Sequence, residues 1–264
     1  MSRKNGNRCV LAAVLIMWAH PTLARITPAE YRDIGVSVPQ GAALPLGATV
    51  TDEKGHRLSL RDIITKPAVL VFADYTCRTL CGPIVAFVSS ALQQSGLDPG
   101  RQFELVAIGL DPKDGADAAE KMRHDHLANS PGLDAATHFV TADEATIKTL
   151  TAALGYRYRY DADDDQYVHP AAAYVLRADG VVARVLTGIG LSGGDMRLAL
   201  VEAGEGKIGT LRDKIRLLCS GFDPAHGTYN VMVSRMLTMT GLVTMLTLGG
   251  GIGILMLMGR RRSA

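Results

Sequence analysis

Cysteine and net charge are both scarce in this sequence, and each scarcity excludes a class of protein. There are four cysteines in 264 residues, which is too few for a domain built on a disulfide framework. The formal net charge is +2, and no basic stripe crosses the middle of the chain, so nucleic acid is not an expected partner. Two of the few cysteines stand close together, and that pair requires a chemical explanation.

The paired cysteines follow an apolar run of strand length. The run 69–72 predicts a strand buried on both faces, and 74–76 predicts a polar turn after it. Cys77 is expected to open a helix, with Cys81 one turn later on the same face and Pro83 in the first turn. The N-terminus of a helix favours the thiolate form of cysteine. Two neighbouring cysteines can be oxidised to a disulfide or, when reduced, bind a soft metal ion such as Cu(I). Two buried structural cysteines are the alternative.

The N-terminus has the pattern of a secretory signal peptide, which we assign to residues 1–24. Residues 9–19 are apolar, and small residues precede the expected cleavage after Ala24, which would remove Cys9. The apolar stretch is too short to cross ~30 Å of hydrocarbon as a membrane anchor. The positive charges before it are Arg3, Lys4 and Arg8.

The C-terminal end has a long uncharged run, 236–259, followed at once by three arginines. We predict a single transmembrane helix over 231–259 and a cytoplasmic basic tail over 260–264. A buried core helix is the alternative. The positive-inside tendency leaves the rest of the chain outside, which predicts a single-pass protein of the bacterial inner membrane with its soluble domain in the periplasm.

The chain between these ends alternates strand-like and helical patterns. Residues 25–48 are expected to form an extended leader and 49–222 one domain. The predicted order is a β-hairpin, a βαβα unit, a second β-hairpin and closing helices, which indicates an α/β, thioredoxin-like sandwich. The predicted strands are 50–60 (a hairpin), 69–72, 103–110, 138–141, 156–160, 173–176 and 181–186, and the predicted helices are 84–94, 115–128, 143–154, 195–202 and 211–219.

Three separated motifs lie within about residues 45 to 205. The first consists of Phe72, Tyr75, Thr76, Cys77 and Cys81 in that order. The second is the D-P-x-D sequence of 111–114, and the third is His169 followed by Asp179-Gly180. Together these motifs resemble those of the Sco/SenC family of thioredoxin-like copper proteins that assemble cytochrome c oxidase.

The resemblance implies that Cys77, Cys81 and His169 bind copper, as Cu(I) and also as Cu(II). It implies delivery of copper to cytochrome c oxidase, or preparation of its copper site, during assembly. The implied partners are the copper-bearing oxidase subunit or another cuproprotein, with periplasmic copper donors and thiol reductants. This chain departs from the family at Gly82, where a proline is usual, at both neighbours of the histidine, and in its C-terminal anchor.

A thiol–disulfide oxidoreductase is the competing interpretation of the same cysteines. Cys77 would then attack as the nucleophile and Cys81 would be the resolving thiol. The two functions can coexist, because copper loading requires the reduced pair. A peroxiredoxin-like peroxidase is disfavoured, since the typical P-x-x-x-T/S-x-x-C pattern is missing.

Overall fold

The structure is a computed structural model that describes residues 33–77, 81–188, 190–205, 207–223, 227–231, 238 and 240–252. The predicted signal peptide and basic tail lie outside the described residues. In chain order the strands are β1 (Gly35–Val36), β2 (Thr49–Asp52), β3 (Arg57–Ser59), β4 (Ala68–Ala73), β5 (Glu104–Gly109), β6 (Thr137–Thr141), β7 (Tyr156–Arg157), β8 (Arg159–Asp161), β9 (Gln166–Val168), β10 (Ala172–Leu176), β11 (Val182–Thr187), β12 (Ser220–Asp223) and β13 (Thr228–Val231). The helices are α1 (Leu60–Ile63), α2 (Cys81–Ser95), α3 (Ala116–Leu127), α4 (Pro131–Asp134), α5 (Glu144–Ala153), α6 (Gly193–Ala203) and α7 (Leu211–Cys219).

A central sheet of seven strands, in the order β11-β10-β4-β5-β6-β2-β3, organises the described part of the chain. β4 and β5 pair in parallel, as do β5 and β6, whereas β10 runs antiparallel to β4. Parallel neighbours need crossover connections, and α2 and α3 are the helices that supply them. The parallel centre and the antiparallel edges are the predicted arrangement.

Both faces of β4 are buried, and its alternate side chains enter two separate cores. Val69 and Val71 pack on one face with α2, α3 and α6, while Leu70 and Phe72 pack on the other with α1 and α5. The continuous apolar run of β4 is therefore what a central strand between two helical layers requires. The predicted α/β sandwich is confirmed.

The regions around the predicted leader and the predicted strand 156–160 differ from expectation. Leu44 and Leu46 are buried in the core beside α1, so the second half of the leader belongs to the domain. The run 156–160 is not one strand: β7 pairs with β1, whereas β8 pairs with β9 on either side of a turn, 162–165, that contains three aspartates. The pattern could not show this division because each strand has only two or three residues.

The region after α7 contains an additional hairpin, β12–β13, that the sequence pattern did not predict. It ends at Val231, the first residue assigned to the transmembrane helix. Residues 240–252 are helical and exposed. Over the ranges described, no helix has both the length and the apolar character that crossing a bilayer requires. The rest of the predicted span, residues 232–237, 239 and 253–259, lies outside the described residues.

Candidate metal centre

The buried carboxylate of Asp74 organises the loop that follows β4. Its Oδ1 accepts hydrogen bonds from the backbone N–H of Thr76 at 3.1 Å and of Cys77 at 3.0 Å. Its Oδ2 accepts the backbone N–H of Tyr167, in β9, at 2.8 Å. Asp74 is fully buried, and these donors satisfy it there. One side chain therefore joins the cysteine loop to the strand that leads to His169.

Cys77 is partly exposed and lies in this loop, with its Sγ 3.2 Å from Oε1 of Gln166. Cys77 itself lies in the turn around Asp74, and residues 78–80, where we predicted the helix to begin, lie outside the described residues. Cys81 is the first described residue of α2, and Pro83 lies in that first turn as expected. The side chain of Cys81 lies outside the described residues, so its predicted role as a ligand stays a prediction.

His169 follows β9, and its imidazole is oriented through Nδ1. Nδ1 lies 3.0 Å from the hydroxyl of Tyr156 and 3.2 Å from the carbonyl oxygen of Pro170. A carbonyl oxygen only accepts hydrogen bonds, so the contact with Pro170 requires the proton on Nδ1. The Tyr156 hydroxyl in turn donates to the same carbonyl at 3.0 Å. Nε2 consequently carries the free lone pair of the neutral ring.

The Nε2 atom of His169 fits a metal ion. It is buried and has no hydrogen-bond partner among the described residues. Burial lowers the pKa of His169, and the neighbouring Asp74 carboxylate opposes that shift only in part. A buried, unpartnered lone pair on a neutral imidazole is costly unless something binds it. Such a lone pair can bind a metal ion, with Nδ1 held by its hydrogen-bond partners.

The D-P-x-D motif supports the cysteine loop through a hydrogen bond to the backbone of that loop. Asp114 is buried, and its Oδ2 accepts the backbone N–H of Tyr75 at 3.0 Å. Burial raises the pKa of Asp114 to about 6, and the charges of Asp74 and Asp111 add to that shift. The Oδ1 of Asp111 accepts the backbone N–H of Lys113 at 2.8 Å. These contacts assign the motif to loop positioning.

Tyr75 fixes the loop to two neighbouring strands, β5 and β6. Its hydroxyl donates to the carbonyl oxygens of Ala107 at 2.7 Å and Val140 at 2.9 Å. Its ring passes so close to Gly109 that a Cβ there would lie 3.1 Å from Cε2. Glycine suits this close approach, because a side chain at position 109 would require the Tyr75 ring to shift by a few tenths of an ångström.

The acidic loop before His169 is the exposed tip of the β8–β9 hairpin. Asp165 adopts a positive φ of 47° and accepts hydrogen bonds from the Nζ of Lys113 at 2.5 Å and from the hydroxyl of Tyr160 at 2.6 Å. These contacts connect the tip to the D-P-x-D turn. The sequence pattern did not predict the strand pairing that forms this hairpin.

The structure thus brings the segments of two predicted ligands together, because Gln166 contacts Cys77 while Tyr167 and His169 lie at Asp74. Over the described part of the chain, no three side chains of histidine, cysteine or acidic type form a ready metal cluster. Sequence reasoning missed Asp74, Tyr156 and Gln166. The one available signal was Asp74 itself, an acidic residue directly after a buried strand.

Fold and site define the class as a thioredoxin-like α/β protein with a thiol and an imidazole at the carboxyl end of its central strand. The SCO1/SenC family profile matches residues 48–193, more than half of the chain. The chain therefore belongs to the SCO1/SenC family.

Curated relatives include the uncharacterized proteins Mb1392c of Mycobacterium bovis and Rv1357c of Mycobacterium tuberculosis. Each is 32% identical over 105 residues, which are 39% of this chain and 33% of the relative. The chain thus spans about a third of the length of these relatives.

Solved structures with the same fold include a protein of Aquifex aeolicus VF5, with a TM-score of 0.55 and 22% identity over 62% of this chain and 93% of that one. BsSco, described with a disulfide switch and as a member of the Sco family of cytochrome c oxidase assembly proteins, has a TM-score of 0.52 and 18% identity over 64% and 98%. ScoI of Bradyrhizobium japonicum, solved with copper bound, has a TM-score of 0.46 and 18% identity over 62% and 98%. At these identities the likeness to the Aquifex aeolicus protein and to BsSco supports the fold alone.

Proposed function

We propose that this protein binds one copper ion through Cys77, Cys81 and His169 and serves the assembly of cytochrome c oxidase. The observation that carries the proposal is the buried Nε2 of His169, which lacks a hydrogen-bond partner within the described residues. Two thiolates and an imidazole form a soft donor set suited to Cu(I), and the same set can hold Cu(II). Copper is then the cargo, and the protein provides its ligands.

The remaining residues of the site position these ligands. Asp74 holds the Cys77 backbone and β9 in one arrangement through its two carboxylate oxygens. Tyr156 and the Pro170 carbonyl hold the proton on Nδ1 of His169 and direct Nε2 toward the ion. The Gln166 amide beside Cys77 can present its oxygen to a thiol or, after rotation, its NH2 group to a thiolate.

The proposed setting is the bacterial inner membrane, with the domain in the periplasm and the C-terminal run as its single anchor. The proposed clients are the copper-bearing oxidase subunit or another cuproprotein, with copper donors and thiol reductants upstream. The uncharged run 236–259 and the arginines after it support this orientation. A reporter fused after Ala264 should behave as cytoplasmic, and one inserted near Gly41 as exported. Both reporters on one side would refute the single span.

The direct test of copper binding is His169→Ala in the purified, reduced full chain. Loss of an outer partner typically costs ~10–100-fold in metal affinity, so loss of the ligand itself should exceed ~100-fold. Copper affinity is measured by competition with a chelator of known affinity. His124→Ala is the matched control, because that imidazole is exposed on α3 and distant in sequence from the site. Equal affinity of the two variants would refute the ligand assignment.

The same variant separates copper delivery from thiol exchange. His169→Ala leaves both cysteines in place, so their cycling between dithiol and disulfide should continue. In cells we expect His169→Ala to fail in oxidase assembly. A fully active His169→Ala together with an inactive Cys77→Ser would instead assign the function to thiol–disulfide exchange.

A further inference from the structure

Helix α7 presents apolar side chains to solvent on the face that points away from the domain. Leu211, Ile215 and Leu218 are 74%, 54% and 59% exposed. Their spacing of four and three residues places them in one stripe along the helix. Three exposed apolar side chains in a row are unusual on a helix whose environment is water alone, because packing against something normally covers such a stripe.

Positive charge accompanies this apolar stripe. Arg212, Lys214 and Arg216 are exposed on the same short helix. By helical periodicity, Arg212 and Lys214 lie on opposite sides of the stripe. The one acidic residue of α7, Asp213, is buried on the opposite side. The outward surface of α7 is therefore both apolar and cationic.

The orientation of α7 is fixed by an ion pair with α6. Both carboxylate oxygens of Asp213 accept hydrogen bonds from Arg197, each at 2.8 Å, and Arg197 also donates to the carbonyl of Ser95 at 2.8 Å. The guanidinium holds the pKa of Asp213 well below its ordinary value. A capping box between Thr210 and Asp213 fixes the start of the helix. The stripe cannot turn inward without breaking these contacts.

We propose that α7 lies on the surface of an anionic lipid bilayer, with its apolar stripe inserted among the headgroups. An apolar face bordered by Lys and Arg is the pattern of an interfacial helix, which typically enters ~5–10 Å into the headgroup region. The chain also continues from α7 toward the uncharged run that begins at Met236. A second copy of the protein is disfavoured as the occupant, because a two-fold contact would place the three cations of each copy against those of the other. The proposal is independent of copper.

The test uses the full chain in vesicles with single tryptophans as depth reporters. Trp18, the sole native tryptophan, is replaced by phenylalanine in every variant. Ile215→Trp reports on α7, Leu246→Trp on the uncharged run, and Lys148→Trp on the exposed surface of α5. Vesicles contain phosphatidylglycerol with phosphatidylcholine, or phosphatidylcholine alone, and carry brominated acyl chains that quench nearby tryptophan. Leu211→Trp is a second reporter in case Ile215→Trp fails to fold.

In anionic vesicles we expect the tryptophan emission of Ile215→Trp to shift to shorter wavelength and to be largely quenched. The emission of Lys148→Trp should neither shift nor be quenched. Adding Arg212→Glu, Lys214→Glu and Arg216→Glu should restore the emission, and 1 M salt should weaken quenching because it shortens the Debye length to ~3 Å.

An unquenched Ile215→Trp beside a quenched Leu246→Trp would overturn the proposal while leaving the anchor intact. A quenched Ile215→Trp beside an unquenched Leu246→Trp would support it without the anchor. A wavelength shift without quenching that grows with the number of copies per vesicle would overturn it in favour of self-association.

Discussion

The cysteine loop and the histidine segment meet at the same end of the sheet, but different forces hold them. The cysteine loop is fixed through its backbone, since Asp74 accepts the N–H of Cys77 and Asp114 accepts that of Tyr75. The histidine is fixed through its side chain, since Tyr156 holds Nδ1 of His169. The backbone N–H groups bound by Asp74 and Asp114, which we call the backbone cage, determine where the thiol lies. A single hydroxyl, that of Tyr156, helps to determine which nitrogen of the imidazole is free to bind.

This difference predicts separable consequences for mutation. Changes in the backbone cage should affect folding and binding together, because buried N–H groups lose their acceptors. Changes at the imidazole should affect binding far more than folding. Four variants test this contrast, from the largest expected effect to the smallest. Stability is measured by urea unfolding of residues 33–231, which contain both cores.

Asp74→Ala should have the largest effect, because it removes the acceptor shared by both segments. Each buried donor left unsatisfied costs about 1–3 kcal/mol, so a loss of at least ~3 kcal/mol of unfolding free energy is expected. Copper affinity should fall as well, since Cys77 and β9 lose their common support. Asp98→Ala, at a half-exposed carboxylate, is the control and should change neither quantity. Wild-type stability in Asp74→Ala would contradict the backbone cage.

Tyr156→Phe should weaken copper binding by ~10-fold while costing only ~1 kcal/mol of stability. The ring remains packed against Phe72 and Tyr174, so only the hydroxyl is lost. Nitrogen NMR of His169 should show a larger share of the Nε2–H tautomer. Tyr160→Phe removes a hydroxyl that contacts Asp165 instead and is the matched control. An unchanged tautomer would show that the Pro170 carbonyl alone orients the ring.

Asp114→Asn should change how stability depends on pH. The folded-state pKa of Asp114 is raised to about 6, so the folded protein retains a proton that the unfolded chain releases near pH 4. The wild type therefore loses stability from this group as pH rises from 4 to 7, by up to ~3 kcal/mol. Asparagine can still accept the Tyr75 N–H without this dependence. The stability of Asp114→Asn relative to wild type should thus increase over that range, and a constant difference would refute the assigned shift.

Lys113→Met should have the smallest effect. The pair of Lys113 with Asp165 connects the hairpin tip to the D-P-x-D turn, but both side chains are mostly exposed and screened by solvent. Stability and copper affinity should stay close to the wild type at physiological salt. A loss of copper affinity larger than that of Tyr156→Phe would show that the hairpin tip controls the histidine.

Sequence alone determined the elements whose patterns are long. The uninterrupted apolar run of β4 and the helical periodicity after Pro83 predicted a buried strand and α2, and the alternation of such elements predicted the sandwich. The three motifs predicted the family and placed Cys77 and His169 among the candidate ligands. These inferences succeed because burial imposes a period that is visible over many residues.

Only the tertiary structure decided how the candidate ligands are supported. Asp74 and Tyr167 are far apart in the chain, and nothing in the sequence pattern around them shows that they form a hydrogen bond. That bond joins the cysteine loop to the strand before His169. The short strands β7, β8 and β9 were equally hidden, because two or three residues carry no measurable period. The outward face of α7 depended on the burial of Asp213 against Arg197. Such pairings follow from the requirement that buried polar groups find partners, and only the folded chain shows which partners are within reach.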